Sequence, residues 1–363
     1  MRSAEFGMRN EIPPSRFPLP LTTDERPVRD SAFPVPRSAL IDGFGRVHNN
    51  LRVSVTDRCN LRCTYCMPED VTFRDRSELL TFEEIAHFVR VVAPLGIDKV
   101  RLTGGEPLVR RDLHKLVRMI VAVPGILDVG LTTNGILLAQ QAAALFDAGL
   151  RRLNVSLDTL DPDRFRELTR RDGVDSVLEG LLAAKRAGFA NIKVNAVAIR
   201  GFAEHDAVPL ARFCREHGFE MRFIEYMPIG ADPWERDKVV PAAELLAWLG
   251  GAISPLDPVP DADPRAPAEE FAYADGGGRV GIIASVTKPF CGTCNRVRLT
   301  ADGKLRNCLF ALAETDVKGL IRSGDDAGIA AALRASVAAK WAGHGFNAAD
   351  YVKPARTMHA IGG

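Results

Sequence analysis

From Leu51 onward the chain alternates short strand-like runs with longer helical ones, and the short runs are themselves two-faced. Period-two patterning predicts strands over 51–56, 98–103, 127–132, 151–157, 191–199 and 219–225. The gaps read as helices over 81–94, 110–123, 138–147, 162–186 (broken at Gly173) and 206–217. Strands separated by helices make βαβ units and therefore a parallel sheet. Six such units fit an incomplete β/α barrel better than a closed eightfold one. Parallel strands covered on both faces usually read as continuous apolar runs. These do not. Arg52, Ser54 and Thr56 oppose Val53 and Val55, Arg101 and Thr103 oppose Val100 and Leu102, and Lys193 and Asn195 oppose Ile192 and Val194. An antiparallel sheet with one wet face would alternate in the same way. The intervening helices favour a barrel with a polar interior that holds a ligand.

At 363 residues the chain is long for one average domain, and 46% apolar residues suffice for a substantial core. Residues 1–46 carry repeated prolines without periodicity and read as a disordered N-terminal extension. The partial barrel is expected over 47–227. Residues 228–363 read as a smaller C-terminal α+β region. It opens with a Pro-rich and Gly-rich stretch holding one helix at 241–249, then short strands at 279–287 and 295–300, and helices at 312–323 and 325–341. Thr81-x-x-Glu84 is a capping box, and Asp161-Pro162 pairs a good N-cap with proline at the first helical position. The fold class expected is α/β: an incomplete (β/α)6 TIM-like barrel followed by that smaller region.

Six of the seven cysteines form two triplets, Cys59-x3-Cys63-x2-Cys66 and Cys291-x2-Cys294-x13-Cys308. A structural zinc site takes four protein ligands. A four-iron cluster held by three thiolates leaves one iron open, so two triplets suggest two such clusters. Cys59 directly follows the first strand, where barrel loops build active sites. Zinc completed by a distant histidine is the alternative for this triplet. No stretch near the start reads as a signal peptide and no apolar run is long enough for a membrane span, so a cytoplasmic, reducing setting is expected. There, thiols are metal ligands before they are disulfides. Cys214 lies in a helical pattern and reads as a small buried hydrophobe. A net charge of +1 implies no surface for nucleic acid.

Thr103-Gly104-Gly105-Glu106-Pro107 ends the second strand, with glycines where backbone can approach a ligand closely. Together with the first triplet and Tyr65 before its last cysteine, this turn resembles the radical S-adenosylmethionine (SAM) signature and its GGEP motif. The run Arg52 to Arg62, Thr132-Thr133-Asn134-Gly135, Asn154 to Asp158, the second triplet and the terminal Gly362-Gly363 are similar to the molybdenum-cofactor biosynthesis protein A family, the GTP 3′,8-cyclases. The likeness runs from about residue 44 to the end, and no cysteine or glycine departs from the family pattern.

The resemblance implies that Cys59, Cys63 and Cys66 hold one [4Fe-4S] cluster, whose open iron takes SAM. Tyr65, Gly105, Ser156 and Met227 match its SAM contacts. It implies a second [4Fe-4S] cluster on Cys291, Cys294 and Cys308, facing the guanine of GTP. Arg52, Arg101, Thr132, Lys193, Arg296, Val297 and Arg298 match GTP contacts. Gly362 and Gly363 match a catalytic tail that enters the barrel. The implied reaction removes the 3′ hydrogen of GTP and joins that carbon to C8, giving 3′,8-cyclo-7,8-dihydro-GTP. An electron donor is implied upstream, and a cyclic pyranopterin monophosphate synthase downstream.

The residues themselves agree with a triphosphate. There is no G-x-x-x-x-G-K-[ST] loop, so other groups must neutralise its charge. Arg52, Arg101 and Lys193 lie on the polar strand faces, and Arg296 and Arg298 alternate after Cys294. The Asn154-Val155-Ser156 sequon falls in an expected interior strand and is a chance match. Gly276-Gly277-Gly278 reads as a hairpin loop. A peptide-modifying radical enzyme and a zinc-stabilised binding protein stay open as rivals, and so does the oligomeric state, a homodimer included.

Overall fold

The computed structural model describes residues 40–230, 233–260, 262–348 and 351–362. Six strands recur at the expected places: β1 (Asn50–Ser54), β2 (Lys99–Thr103), β3 (Asp128–Thr133), β4 (Arg152–Ser156), β5 (Asn191–Ala198) and β6 (Glu220–Glu225). They are followed by β7 (Leu256–Pro258), β8 (Glu269–Tyr273), β9 (Arg279–Ile283), β10 (Arg296–Leu299), β11 (Lys304–Arg306) and β12 (Thr315–Asp316). All join one α/β sheet in the order β12-β11-β10-β1-β2-β3-β4-β5-β6-β9-β8-β7. The run from β10 through β1–β6 to β9 is parallel throughout. The sheet therefore continues without interruption from the six expected strands into the C-terminal region, which adds strands at both edges.

Helices α1 (Phe82–Val92), α2 (Leu113–Val121), α3 (Leu138–Asp147), α4 (Pro162–Thr169), α5 (Val174–Arg186) and α6 (Ala203–His217) connect or follow these strands. The Thr81 capping box forms reciprocally: its hydroxyl accepts from Glu84 N–H at 3.1 Å, and Glu84 Oε2 accepts from Thr81 N–H at 2.7 Å. Asp161 caps α4 by accepting from the N–H groups of Asp163 and Arg164. Gly173, at φ 144°, separates α4 from α5. Helix α1 turns Ile85, Phe88, Val89 and Val92 into the main core, each worth about 1.5–3 kcal/mol of apolar burial. The same core holds the apolar strand faces, including Val53, Val100, Leu102, Leu131 and Val155. Cys214 is buried there, its sulfur 3.6 Å from Met221 Sδ.

Beyond the β1–β6 region lie α7 (Ala242–Ala252), α8 (Lys318–Ser323), α9 (Asp326–Ala338) and the short α10 (Met358–Ile361). The helix expected over 312–323 is shorter than its pattern. Thr315–Asp316 pairs with β11 as a strand, and Asp316 Oδ1 accepts from Lys318 N–H at the start of α8. The Gly276-Gly277-Gly278 run is the β8–β9 hairpin, as expected: Tyr273 N–H donates to Gly278 O and Gly276 N–H to Tyr273 O. Most of the expected N-terminal tail lies outside the described residues. Its end does not behave as a tail. Leu40 is buried, Ile41 bridges Val47, and His48 N–H donates to Leu40 O at 2.8 Å. Among the described residues no helix is long and apolar enough to cross a membrane.

Candidate active site

The polar strand faces, the loop after β1 and the second cysteine triplet line one cavity of about 510 Å³. The first triplet sits in a loop pinned by the Gly-Gly turn after β2. Gly105 N–H donates to Thr56 O and Glu106 N–H to Arg58 O, both at 2.7 Å. A Cβ on Gly105 would lie 2.5 Å from Arg58 O and 2.6 Å from Asp57 O, so only glycine lets the two segments meet. Cys59 Sγ accepts from Leu61 N–H at 3.4 Å, with Asn134 Nδ2 at 3.8 Å. Burial pushes the Cys59 thiol up to about 11 and Cys66 to about 12, and raises Cys63 well above its ordinary value. Thiolates at such positions need a bound cationic centre to hold their charge.

Two carboxyls, the buried Glu106 and the half-buried Asp158, support this loop. Glu106 accepts from Leu108 N–H, Asn134 N–H and the Thr133 hydroxyl at 2.6–2.8 Å, yet burial still lifts it to about 7. Asp158 accepts from the Tyr65 hydroxyl at 2.5 Å and from Val197 N–H at 2.8 Å, and burial lifts it to about 6. Neither was singled out in the sequence. Glu106 was legible as part of the GGEP turn, whereas the Asp158–Tyr65 contact has no local signal. Gly105, Ser156 and Met227 also line the cavity.

Cys291, Cys294 and Cys308 line the same cavity. Burial raises Cys291. Burial also acts to raise Cys294, but the Arg296 guanidinium and the Lys340 ammonium override it and hold that thiol at about 6. A single zinc ion needs its donors about 2.3 Å from one point. Among the described residues no three His, Cys, Asp or Glu side chains are so grouped. A four-iron cubane instead spreads its thiolates over separate irons, a demand that three half-buried thiols on separate turns of one cavity wall can meet.

Cations stand between the triplets. The parallel register sets Arg52 of β1 directly beside Arg101 of β2 and Arg298 of β10. Like charges directly opposite are destabilising. Burial first, then the neighbouring guanidinia, lowers Arg298 to about 10 and Arg52 well below its ordinary value. Burial, then Arg152, lowers Arg101 to about 10. Among the described residues none of these three forms an ion pair with a carboxylate, and Arg52 Nε and Arg101 Nη1 are buried without a partner. The row is thus arranged for an anionic ligand.

Lys193 also faces the cavity, but its charge is already met by Glu220 at 2.6 Å and Glu270 at 3.8 Å. Arg222, Arg152 and Lys340, which sequence reasoning passed over, line the cavity too. Arg222 shares Glu220 and Glu270 with Lys193. Thr132 lines the cavity in register with Asn154, which is in register with Lys193. Arg296 donates to Cys294 Sγ at 3.5 Å. Val297 is the exception. Its side chain points to the opposite face and is buried in the main core. Gly362 is buried with φ 89°, and its carbonyl accepts from Arg298 Nη1 at 2.6 Å. Gly363 lies outside the described residues.

Residues 53–214 match the radical SAM superfamily, and 219–346 match the molybdenum cofactor synthesis C family. Among solved structures, Streptococcus suis SuiB bound to S-adenosylmethionine is similar in fold, with TM-score 0.57 and 15% identity over 79% of this chain and 68% of that one. Parallel sheet, cysteine loop and Gly-Gly turn together make this a radical SAM protein. A GTP 3′,8-cyclase of Rhodopirellula baltica is 50% identical over 90% of this chain and 92% of its own length. One of Mycolicibacterium smegmatis is 49% identical over 92% and 94%. The chain belongs to the GTP 3′,8-cyclase family.

Proposed function

We propose that this chain is a radical SAM lyase, a GTP 3′,8-cyclase that converts GTP to 3′,8-cyclo-7,8-dihydro-GTP in the first step of molybdenum cofactor biosynthesis. The observation that carries the reading is the row Arg298–Arg52–Arg101, with Arg298 buried and its two neighbours half-buried, unpaired with carboxylates among the described residues and set in one cavity with two cysteine triplets. Arginine's planar fork suits phosphate oxygens, and three such groups can neutralise a triphosphate without a phosphate-binding loop. Cys59, Cys63 and Cys66 would hold a [4Fe-4S] cluster, with SAM beside Tyr65, Gly105, Ser156 and Met227. When bound, these groups supply the one-electron chemistry that takes the 3′ hydrogen of the nucleotide.

The chain's own residues do the positioning. Asp158, just past β4 and held by Val197 N–H of β5, fixes the Tyr65 hydroxyl, and the Gly-Gly turn fixes the loop that carries the cysteines. Cys291, Cys294 and Cys308 would hold a second [4Fe-4S] cluster against the guanine, with Arg296 and Thr132 as further nucleotide contacts. Lys193, already neutralised, serves as an oriented donor and not as a net charge. The backbone of Val297, not its side chain, is what it can offer. Gly362 and Gly363 would close the cavity, where exclusion of water protects a reactive intermediate. An external one-electron donor, a downstream cyclic pyranopterin monophosphate synthase and a cytoplasmic setting complete the reading.

The rival of a peptide-modifying enzyme shares the fold with SuiB, but an unpaired row of arginines recognises phosphate and not a neutral peptide backbone. The test is anaerobic incubation of reconstituted protein with GTP, SAM and dithionite, followed by mass analysis of the nucleotide. A product isomeric with GTP and lacking the 3′ C–H bond is expected. Deoxyadenosine release with unaltered GTP would overturn the substrate.

A further inference from the structure

The three cysteines of the second triplet sit on separate turns, and two buried cations tie those turns together. Arg46 Nη1 donates to Cys291 O at 2.7 Å and to Ala342 O at 2.9 Å, and its Nη2 donates to Trp341 O at 2.5 Å. Arg46 is itself aimed by Asp42, whose Oδ2 accepts from its Nε at 2.6 Å and also contacts His48 Nε2 at 2.9 Å. Asp42, Arg46 and His48 are all buried. Lys340 is the second cation. Its ammonium donates to Arg296 O at 2.7 Å, two residues past Cys294, and to Asn307 O at 2.6 Å, the residue before Cys308. Asn307 Nδ2 in turn donates to Ser336 O at the end of α9. The strap 340–342 is therefore common to both cations, one using its side chain and the other its carbonyls.

Lys340 is only 6% exposed, and among the described residues no carboxylate forms an ion pair with it. A buried ammonium needs an anionic neighbour, or its desolvation goes uncompensated. The groups at hand are the Cys294 and Cys308 sulfurs. A cluster carried by three thiolates is the anionic occupant this geometry calls for.

We propose that the segment Leu40–His48 and Lys340 form the back wall of the second cysteine site, with Arg46 and Lys340 as positioning residues that hold its turns ready for a cluster. This rests on the reading of Cys291, Cys294 and Cys308 as cluster ligands. Arg46 acts mechanically, through carbonyls. Lys340 acts mechanically and through charge, favouring the more reduced and more negative state.

The test uses the full chain with Cys59, Cys63 and Cys66 changed to Ala, so that bound iron reports the second site alone. Arg46→Lys, Arg46→Met and Lys340→Met are compared with that parent after anaerobic reconstitution. Each is expected to lose iron to a chelator about 10-fold faster or more, as for other residues that orient metal ligands. Lys340→Met is also expected to shift the midpoint potential to more negative values, which loss of packing alone does not dictate. Circular dichroism and melting temperature check folding, and Arg46→Lys keeps the test alive if Arg46→Met fails to fold. If the parent binds no iron, the second-cluster reading fails. If the parent binds iron and the variants keep it equally well at an unchanged potential, the back-wall assignment is overturned.

Discussion

Replacing Gly105 with Ala tests how the first cysteine loop is held. The added Cβ would stand 2.5 Å from Arg58 O, 2.6 Å from Asp57 O and 2.8 Å from Arg58 C. All three are backbone atoms, so no side chain can swing aside. The turn and the loop must separate, and that breaks the Gly105–Thr56 and Glu106–Arg58 hydrogen bonds, both 2.7 Å. Overpacking of this kind costs about 1–3 kcal/mol, and two lost hydrogen bonds add about 1 kcal/mol each. The sum, about 3–5 kcal/mol, is a large part of a typical domain stability of about 5–15 kcal/mol. Urea unfolding of the iron-free chain measures it. Iron bound at the first site, counted in a Cys294→Ala background, should fall together with stability. Gly251→Ala is the control: Gly251 is exposed in α7 with nothing within 4 Å, and alanine there should gain about 0.5–1 kcal/mol at most. An unchanged urea midpoint and full iron loading in Gly105→Ala would refute the close approach of turn and loop.

Gly362→Ala should undock the tail: its Cβ would lie 2.8 Å from both Ser54 Cβ and Thr103 Oγ1, on backbone at φ 89°. Left-handed strain alone costs about 1–2 kcal/mol. Hydrogen exchange over 355–362 should rise and cyclised product per deoxyadenosine should drop, while global stability holds; equal exchange and an equal ratio would count against it. Cys63→Ala should abolish SAM cleavage, whereas Cys294→Ala should leave some cleavage and stop turnover of GTP, as read by deoxyadenosine and nucleotide analysis in parallel. Glu106 supplies a pH test. Burial lifts its carboxyl from 4.5 to about 7. The folded state then holds a proton that the unfolded state has released, so stability falls as pH rises from about 4.5 to 7, by up to about 3 kcal/mol. Denaturant titrations across that range should show the decline in the parent and a shallower one in Glu106→Gln.

Local signals account for much of the scaffold. Period-two runs located β1–β6 to within a residue or two, because a strand with one polar and one apolar face writes its geometry into adjacent side chains. Thr81, Asp161 and Gly173 marked helix boundaries through groups only a few residues away. The strands β7, β8, β11 and β12 escaped: β7, β11 and β12 have only two or three residues and carry no period, β8 lies in a stretch read as loop, and β12 was absorbed into an expected helix.

The sequence by itself determined the two triplets, the Gly-Gly turn and the polar strand faces, because each is a matter of spacing along the chain. Only the tertiary structure decided which cations are free. Lys193 and Arg52 look alike in sequence, yet Glu220 and Glu270 neutralise the first, while register sets the second between two other arginines. Nothing near Arg46 foretells that it reaches the carbonyls of Cys291, Trp341 and Ala342. Such pairings depend on which distant segments the sheet brings together. A charge's worth is set by its desolvation and its partners, and neither exists until the chain has folded.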